Sequence, residues 1–290
     1  MLEVLIALSP ALIAGCIIFG LRALLLTAVC VTSAVAAEFV FNLICKKEQS
    51  VSDLSAAVTG LILALNLPAE TPLWQTAVGA VFAIVAVKCL FGGIGQNFAN
   101  PAATARVFMI LSFTSIARAS YPVIVDTAAS ATPLAVLGGA EGSIPSFFNL
   151  VLGVHGGSVG ETCSIALIIG GVYLIFRRII GWRAPLTFIC TVFILSFIFS
   201  GDIYEAVVHV FSGGLLLGAF FMATDYVTTP TTPSGRAIFG LGCGIITVII
   251  RFWGDTPEGV SFAILIMNIV TPYIDKLTAR RTFGTGGASK

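Results

Sequence analysis

The sequence predicts an all-α integral membrane protein of about ten transmembrane helices, and three observations carry that reading. Of 290 residues, 57% are hydrophobic and only 10% are charged, where a soluble domain carries about 25% charged. The apolar residues fall into ten runs separated by polar breaks. Basic residues collect at alternate breaks, as they do in chains threaded repeatedly through a bilayer. The 15 Lys+Arg offset 14 Asp+Glu, so no charge excess points to nucleic acid; the partner that composition implies is membrane lipid.

A spanning helix needs about 20 apolar residues, with a range of roughly 17–25. The predicted segments are 4–20, 23–44, 53–67, 73–91, 102–117, 162–176, 186–200, 206–223, 237–253 and 260–274. The first has acidic Glu3 where a signal peptide has a basic flank, and no Ala-x-Ala site follows it. It therefore reads as a span. Several segments run to only ~15 residues, which points to tilted or interrupted helices.

With the N-terminus inside, Lys46, Lys47, Lys88, Arg177, Arg178, Arg183, Arg236, Lys276, Arg280, Arg281 and Lys290 lie on the inner side, eleven of the 15. Arg22, Arg118 and Arg251 lie outside, and Arg106 sits within a segment. This bias predicts cytoplasmic termini and an extracytoplasmic connection over 118–161.

The two halves echo each other. A short apolar stretch, a Thr/Pro break and a second helix follow Gly60, and the same order follows Gly218. The echoing segments are five spans apart, an odd number, which predicts an inverted 5+5 repeat within a single membrane domain. Residues 1–117 and 162–290 form the repeats, with 118–161 between them. Such repeats place sites at Gly/Pro-interrupted helices between the halves.

Few side chains in this sequence can carry chemistry. Seven cysteines (Cys16, Cys30, Cys45, Cys89, Cys163, Cys190, Cys243) stand singly, and His155 and His209 lie far apart. No zinc or iron–sulfur site is predicted, and the cysteines read as small buried hydrophobes. Glu38 falls inside a span, where a charge costs about 2.5–3.5 kcal/mol on insertion scales. It needs a partner such as Arg106, or a place on an ion path. The stretch 126–134, Asp-Thr-Ala-Ala-Ser-Ala-Thr-Pro-Leu, reads from its residues alone as a hydroxyl-rich turn. Gly156-Gly157-Ser158-Val159-Gly160-Glu161-Thr162 leads into the sixth segment. It reads either as a capped turn or as a row of N–H donors for an anionic group.

Several long motifs in order narrow these readings. They are Gly92-Gly93-Ile94-Gly95-Gln96-Asn97-Phe98-Ala99-Asn100-Pro101-Ala102, Gly157-Ser158-Val159-Gly160-Glu161-Thr162, Gly218-Ala219-Phe220-Phe221-Met222-Ala223-Thr224-Asp225, Ser234-Gly235-Arg236 and Pro257-Glu258-Gly259-Val260-Ser261-Phe262-Ala263. Together they resemble the RnfD component of the Rnf complex, the ion-translocating ferredoxin:NAD⁺ oxidoreductase. That family is shared with the NQR2 component of the sodium-pumping NADH:quinone reductase. The resemblance implies a urea- and ammonium-channel-like bundle in the cell membrane. It also implies electron transfer coupled to Na⁺ or H⁺ movement.

A flavin transferase would esterify Thr132 to the phosphate of FMN, within a motif that includes Asp126 and Ser130; Ala129 stands where the family usually has Ser or Thr. The resemblance further implies riboflavin held without a covalent bond, and cofactor contacts from Gln96, Asn97, Asn100, Gly157, Ser158, Glu161, Thr162 and Asp225. The implied partners are the other Rnf subunits (A, B, C, E and G). No catalytic acid, base or metal is expected, because the redox chemistry belongs to the flavin. The alternative class is a secondary transporter or channel of similar fold with no redox cofactor.

Overall fold

The computed structural model describes residues 1–113, 132–161, 163–254 and 259–279. These contain helices and connecting turns, with no β-strand among the described residues. In order the helices are α1 (Leu2–Phe19), α2 (Leu21–Ile44), α3 (Ser55–Leu65), α4 (Leu73–Phe82), α5 (Pro101–Ser112), α6 (Pro133–Leu137) and α7 (Phe147–Leu152). They continue as α8 (Ser164–Phe176), α9 (Arg183–Ser200), α10 (Ile203–Phe211), α11 (Leu215–Leu217), α12 (Pro233–Trp253) and α13 (Val260–Thr278). α4 and α11 run on into wider π-helical turns, Ala83–Cys89 and Gly218–Met222. Such turns are rare and cluster at functional sites.

Each predicted apolar segment overlaps a helix, but the helices are unequal. Five are long and apolar enough to cross a membrane: α1, α2, α9, α12 and α13. α3, α5, α8 and the extended α4 have 10–17 residues each. The predicted segment 206–223 is two helices, bent by 59° at the break after Phe211. Gly213 and Gly214 make that bend, with φ of 71° and 66°, a region L side chains rarely adopt. The outer surface is apolar; Phe176 is 85% exposed, and Ile44 and Leu277 are similarly open. A water-facing surface does not carry so many large apolar side chains. The chain is a helical integral membrane protein.

The halves interlock: α1 packs along α8, and α5 along α13, while α9 lies against α12 and α2 against α3 and α4. Without a hydrophobic driving force between helices in lipid, small residues that let backbones approach are what tighten such pairs. Gly170 is the sharpest case. A Cβ there would stand 2.1 Å from the Ala7 carbonyl oxygen of α1, a backbone atom that cannot rotate away. Gly170→Ala is expected to lower stability by about 1–3 kcal/mol, read as a lower unfolding temperature in detergent.

Candidate functional site

The deepest acidic group in the bundle is Glu38, 1% exposed on α2. Its partner is Lys88 of the π-helical turn after α4, with Nζ 2.7 Å from Oε1 and both side chains 2% exposed. This corrects the expectation that Arg106 would pair with Glu38. It also corrects the placement of Lys88 among inner-surface charges, because Lys88 points into the bundle. Ser50 Oγ also donates to Glu38 Oε1, at 2.7 Å, and Lys88 donates to Ser55 Oγ as well. Glu38 Oε2 is buried with no hydrogen-bond partner among the described residues.

Lys88 and Ser55 also line a cavity of about 130 Å³, together with Asn97, Asn100, Phe220, Phe221 and Asp225. The sequence signal Asn-Pro explains how Asn100 comes to be there. Asn100 is the N-cap of α5, accepting from Ala103 N at 3.1 Å, and Pro101 takes the first helical position, where its missing N–H costs nothing. The other end of the amide donates to Met222 O at 3.2 Å, so one side chain ties the start of α5 to the end of the π-helical turn after α11. Asn268 of α13 accepts from Asn100 N at 2.9 Å and donates to Thr228 O at 3.2 Å once its amide is oriented to match its neighbours. Of the residues expected near a cofactor, Asn97, Asn100 and Asp225 meet in this cavity. Gln96 is exposed and does not line it.

Asp225 sits in the loop between α11 and α12. Burial pushes its carboxyl above the ordinary value, against the Val227 N–H and Thr228 hydroxyl, which pull it down. A raised carboxyl value means that the folded state prefers the protonated acid. Stability is therefore fullest below the unfolded value of about 3.9 and declines as pH rises through the higher folded value. Asp225→Asn is expected to flatten that decline in unfolding temperature; an unchanged pH profile would rule the group out.

A second, smaller pocket lies at the break between α10 and α11, lined by Asn66, Ser158, Glu161, Gly213, Gly214, Val260 and Ser261. Asn66, the C-cap of α3, touches Met222 Sδ through its amide at 3.4 Å. The residues of the two cavities are thus one methionine apart. The segment 156–161 is buried throughout. The N–H groups expected to meet a flavin phosphate are engaged within the protein. Val159 N donates to Leu67 O at 3.0 Å, Gly160 N to Leu65 O at 2.8 Å, and Ser158 N to Glu161 Oε2 at 3.3 Å. The first two satisfy carbonyls that the end of α3 leaves open. Gly157 is buried beside them, and Thr162 lies outside the described residues.

Sequence reasoning missed the role of Arg251, which reads as an outer-surface charge. Its guanidinium donates to His209 O, to Ser212 O at 3.0 Å and to Gly213 O at 3.3 Å. A cation there suits the C-terminal carbonyls of α10. His209 stacks on Phe252, ring centroids 5.1 Å apart, as a packing residue.

Thr132 is the N-cap of α6, its Oγ1 accepting from Ala135 N at 3.2 Å, with Pro133 at the first helical position. It is half-buried, and accepting that bond does not engage the hydroxyl proton. Asp126 and Ser130 lie outside the described residues.

Buried charge and cavities at helix breaks define a polytopic membrane protein that holds charge within its bundle, beyond serving as an anchor. The chain belongs to the NQR2, RnfD, RnfE family, whose sequence pattern matches residues 1–284. It is 48% identical over 288 residues to the D component of the Na(+)-translocating ferredoxin:NAD(+) oxidoreductase complex of Acetobacterium woodii, covering 98% of this chain and 90% of that one. It is 40% identical over 304 residues to the D component of the proton-translocating ferredoxin:NAD(+) oxidoreductase complex of Clostridium ljungdahlii, covering 98% and 91%. It is 35% identical over 336 residues to the D component of the ion-translocating oxidoreductase complex of Stutzerimonas stutzeri, covering 100% and 93%.

Proposed function

We propose that this chain is the membrane electron-transfer subunit of an ion-pumping ferredoxin:NAD⁺ oxidoreductase of the Rnf type. It relays electrons through FMN bound by a phosphoester to Thr132, coupled to Na⁺ or H⁺ movement. The observation that carries the reading is the position of Thr132, a half-buried hydroxyl at the head of α6, in a chain 48% identical to a component of such a complex. A phosphoester needs a hydroxyl: the O–H bond is replaced by O–P. Asp126 and Ser130 belong to the motif that the transferase would read. FMN would supply the redox chemistry, while Thr132 and α6 hold it in place.

The same reading includes ten spans in an inverted 5+5 repeat and cytoplasmic termini. It also includes the Thr132 connection on the far side of a plasma or inner membrane, and the other Rnf subunits (A, B, C, E and G) as neighbours. The crossed packing of α1 on α8 and α5 on α13 supports the repeat, because each pair joins corresponding ends of the two halves. Glu38, beside the Lys88-lined cavity, is the ion-path candidate.

Riboflavin is the second flavin of this proposal. The Asn100 cavity offers fitting chemistry, amides at Asn97 and Asn100 beside the Phe220 and Phe221 rings. At about 130 Å³ it falls below the ~300 Å³ of ordinary ligand pockets, so it does not enclose a whole flavin in this conformation.

The runner-up is a transporter or channel without a redox cofactor, favoured by the bent α10–α11 pair and its flanking cavities. Intact mass and in-gel flavin fluorescence of the denatured protein, produced with its transferase, decide between them. A gain of one FMN is expected; its absence overturns the redox reading.

A further inference from the structure

The break between α10 and α11 touches more than its own helices. Gly213 donates its N–H to Glu161 Oε1, and its carbonyl accepts from Arg251 at 3.3 Å. The other Glu161 oxygen accepts from Ser158 Oγ at 2.6 Å, so the residue is 6% exposed yet its carboxylate is bonded at both oxygens. On its remaining face Gly213 meets α6. A Cβ on Gly213 would lie 2.3 Å from Leu134 Cδ1 and 2.6 Å from Arg251 Nη2. Leu134 is 6% exposed and stands two residues after Thr132, within the short helix that Thr132 caps. Five residues of helix cannot hold themselves in place. The seat of α6 is therefore tertiary: Leu134 pressed on a glycine whose backbone is clamped by Glu161 from one side and Arg251 from the other.

We propose that Glu161 and Gly213 are positioning residues that seat α6 through Leu134, and so fix where Thr132 holds its cofactor. This rests on the flavin reading of Thr132. Reactive groups need support to within about 0.5 Å from the groups behind them, and electron transfer falls steeply with added distance. Glu161 acts through its hydrogen bonds and does not touch the reacting centre. Glutamine can still accept from Gly213 N through one oxygen, whereas alanine cannot.

The experiment uses the whole complex, with Glu161→Ala, Glu161→Gln and Leu134→Ala in this subunit, and two readouts. The first is amide hydrogen exchange over residues 134–138, which needs no flavin. It is expected to rise about tenfold or more in Glu161→Ala and Leu134→Ala, the mark of local opening, and to change little in Glu161→Gln. The second is the rate of reduction of the covalent flavin, expected to fall about tenfold or more in the same two variants at unchanged flavin loading, as a misplaced reacting group requires. If Glu161→Ala fails to assemble, Leu134→Ala carries the test, because it leaves the buried carboxylate untouched. Unchanged exchange in Leu134→Ala overturns the seat. Changed exchange with an unchanged reduction rate overturns the positioning role, as does a Gln variant as slow as Ala. A wild-type complex with no covalent flavin overturns the Thr132 reading instead, while the exchange data still judge the seat.

Discussion

Lys88→Met is expected to destabilise the protein by about 3–5 kcal/mol, the cost of leaving a buried charge without its partner. The size follows from geometry. Lys88 Nζ and Ser50 Oγ are the donors to Glu38 Oε1, and Oε2 has none among the described residues. Removing the ammonium leaves one hydroxyl to hold the carboxylate of a residue that is 1% exposed. At ~2–4 °C per kcal/mol, the unfolding temperature in detergent should drop by roughly 6–20 °C.

The double variant Glu38→Gln/Lys88→Met should recover most of this, since removing both members of a buried pair is often nearly neutral. A drop in the double as large as in the single would show that Lys88 matters for packing and not for charge. The rescued double also separates stability from function. If it folds but no longer moves ions, the pair belongs to the ion path; if transport is unchanged, Glu38 is structural.

That pair also shows where sequence reasoning stops. Glu38 announces itself as a carboxylate inside an apolar run. Its partner lies 50 residues away, in a helix whose final turns widen into π-helical form, and apolar periodicity carries no information about which helix faces which. Lys88 stands inside the predicted segment 73–91, so a buried lysine is readable there, but its pairing is not. The local signals serve better. Asn100-Pro101 and Thr132-Pro133 both mark helix starts in the way capping chemistry requires, and the glycine pair after Ser212 marks a break.

The segment 156–161 has two readings in sequence, an anion-binding row of donors or a capped turn. It proves to cap another helix, α3, through Leu65 and Leu67. That outcome depends on where the end of α3 arrives, which is a fact of packing. Arg251 is hidden for the same reason: a basic residue near a helix end looks like a surface charge, and the carbonyls it holds lie at the end of α10.

Thr132→Ala is expected to abolish covalent flavin entirely, but alanine removes two things at once. It deletes the hydroxyl that would be esterified, and it deletes the N-cap of α6, a loss of about 0.5–2 kcal/mol. In a five-residue helix that cost is enough to loosen the turn, so Ala alone does not separate chemistry from folding. Serine and asparagine do. Thr132→Ser keeps both the hydroxyl and the cap and should retain flavin on a denaturing gel. Thr132→Asn keeps a cap of equal or better quality, but its amide cannot form a phosphoester, so this variant should be folded, assembled and free of covalent flavin. The turnover of the complex with Thr132→Asn then decides the role of the site. Loss of electron transfer together with the flavin means that current passes through this residue. Full activity without the flavin means that the chain serves the complex by transport or by scaffolding, and the hydroxyl at the head of α6 is only a cap.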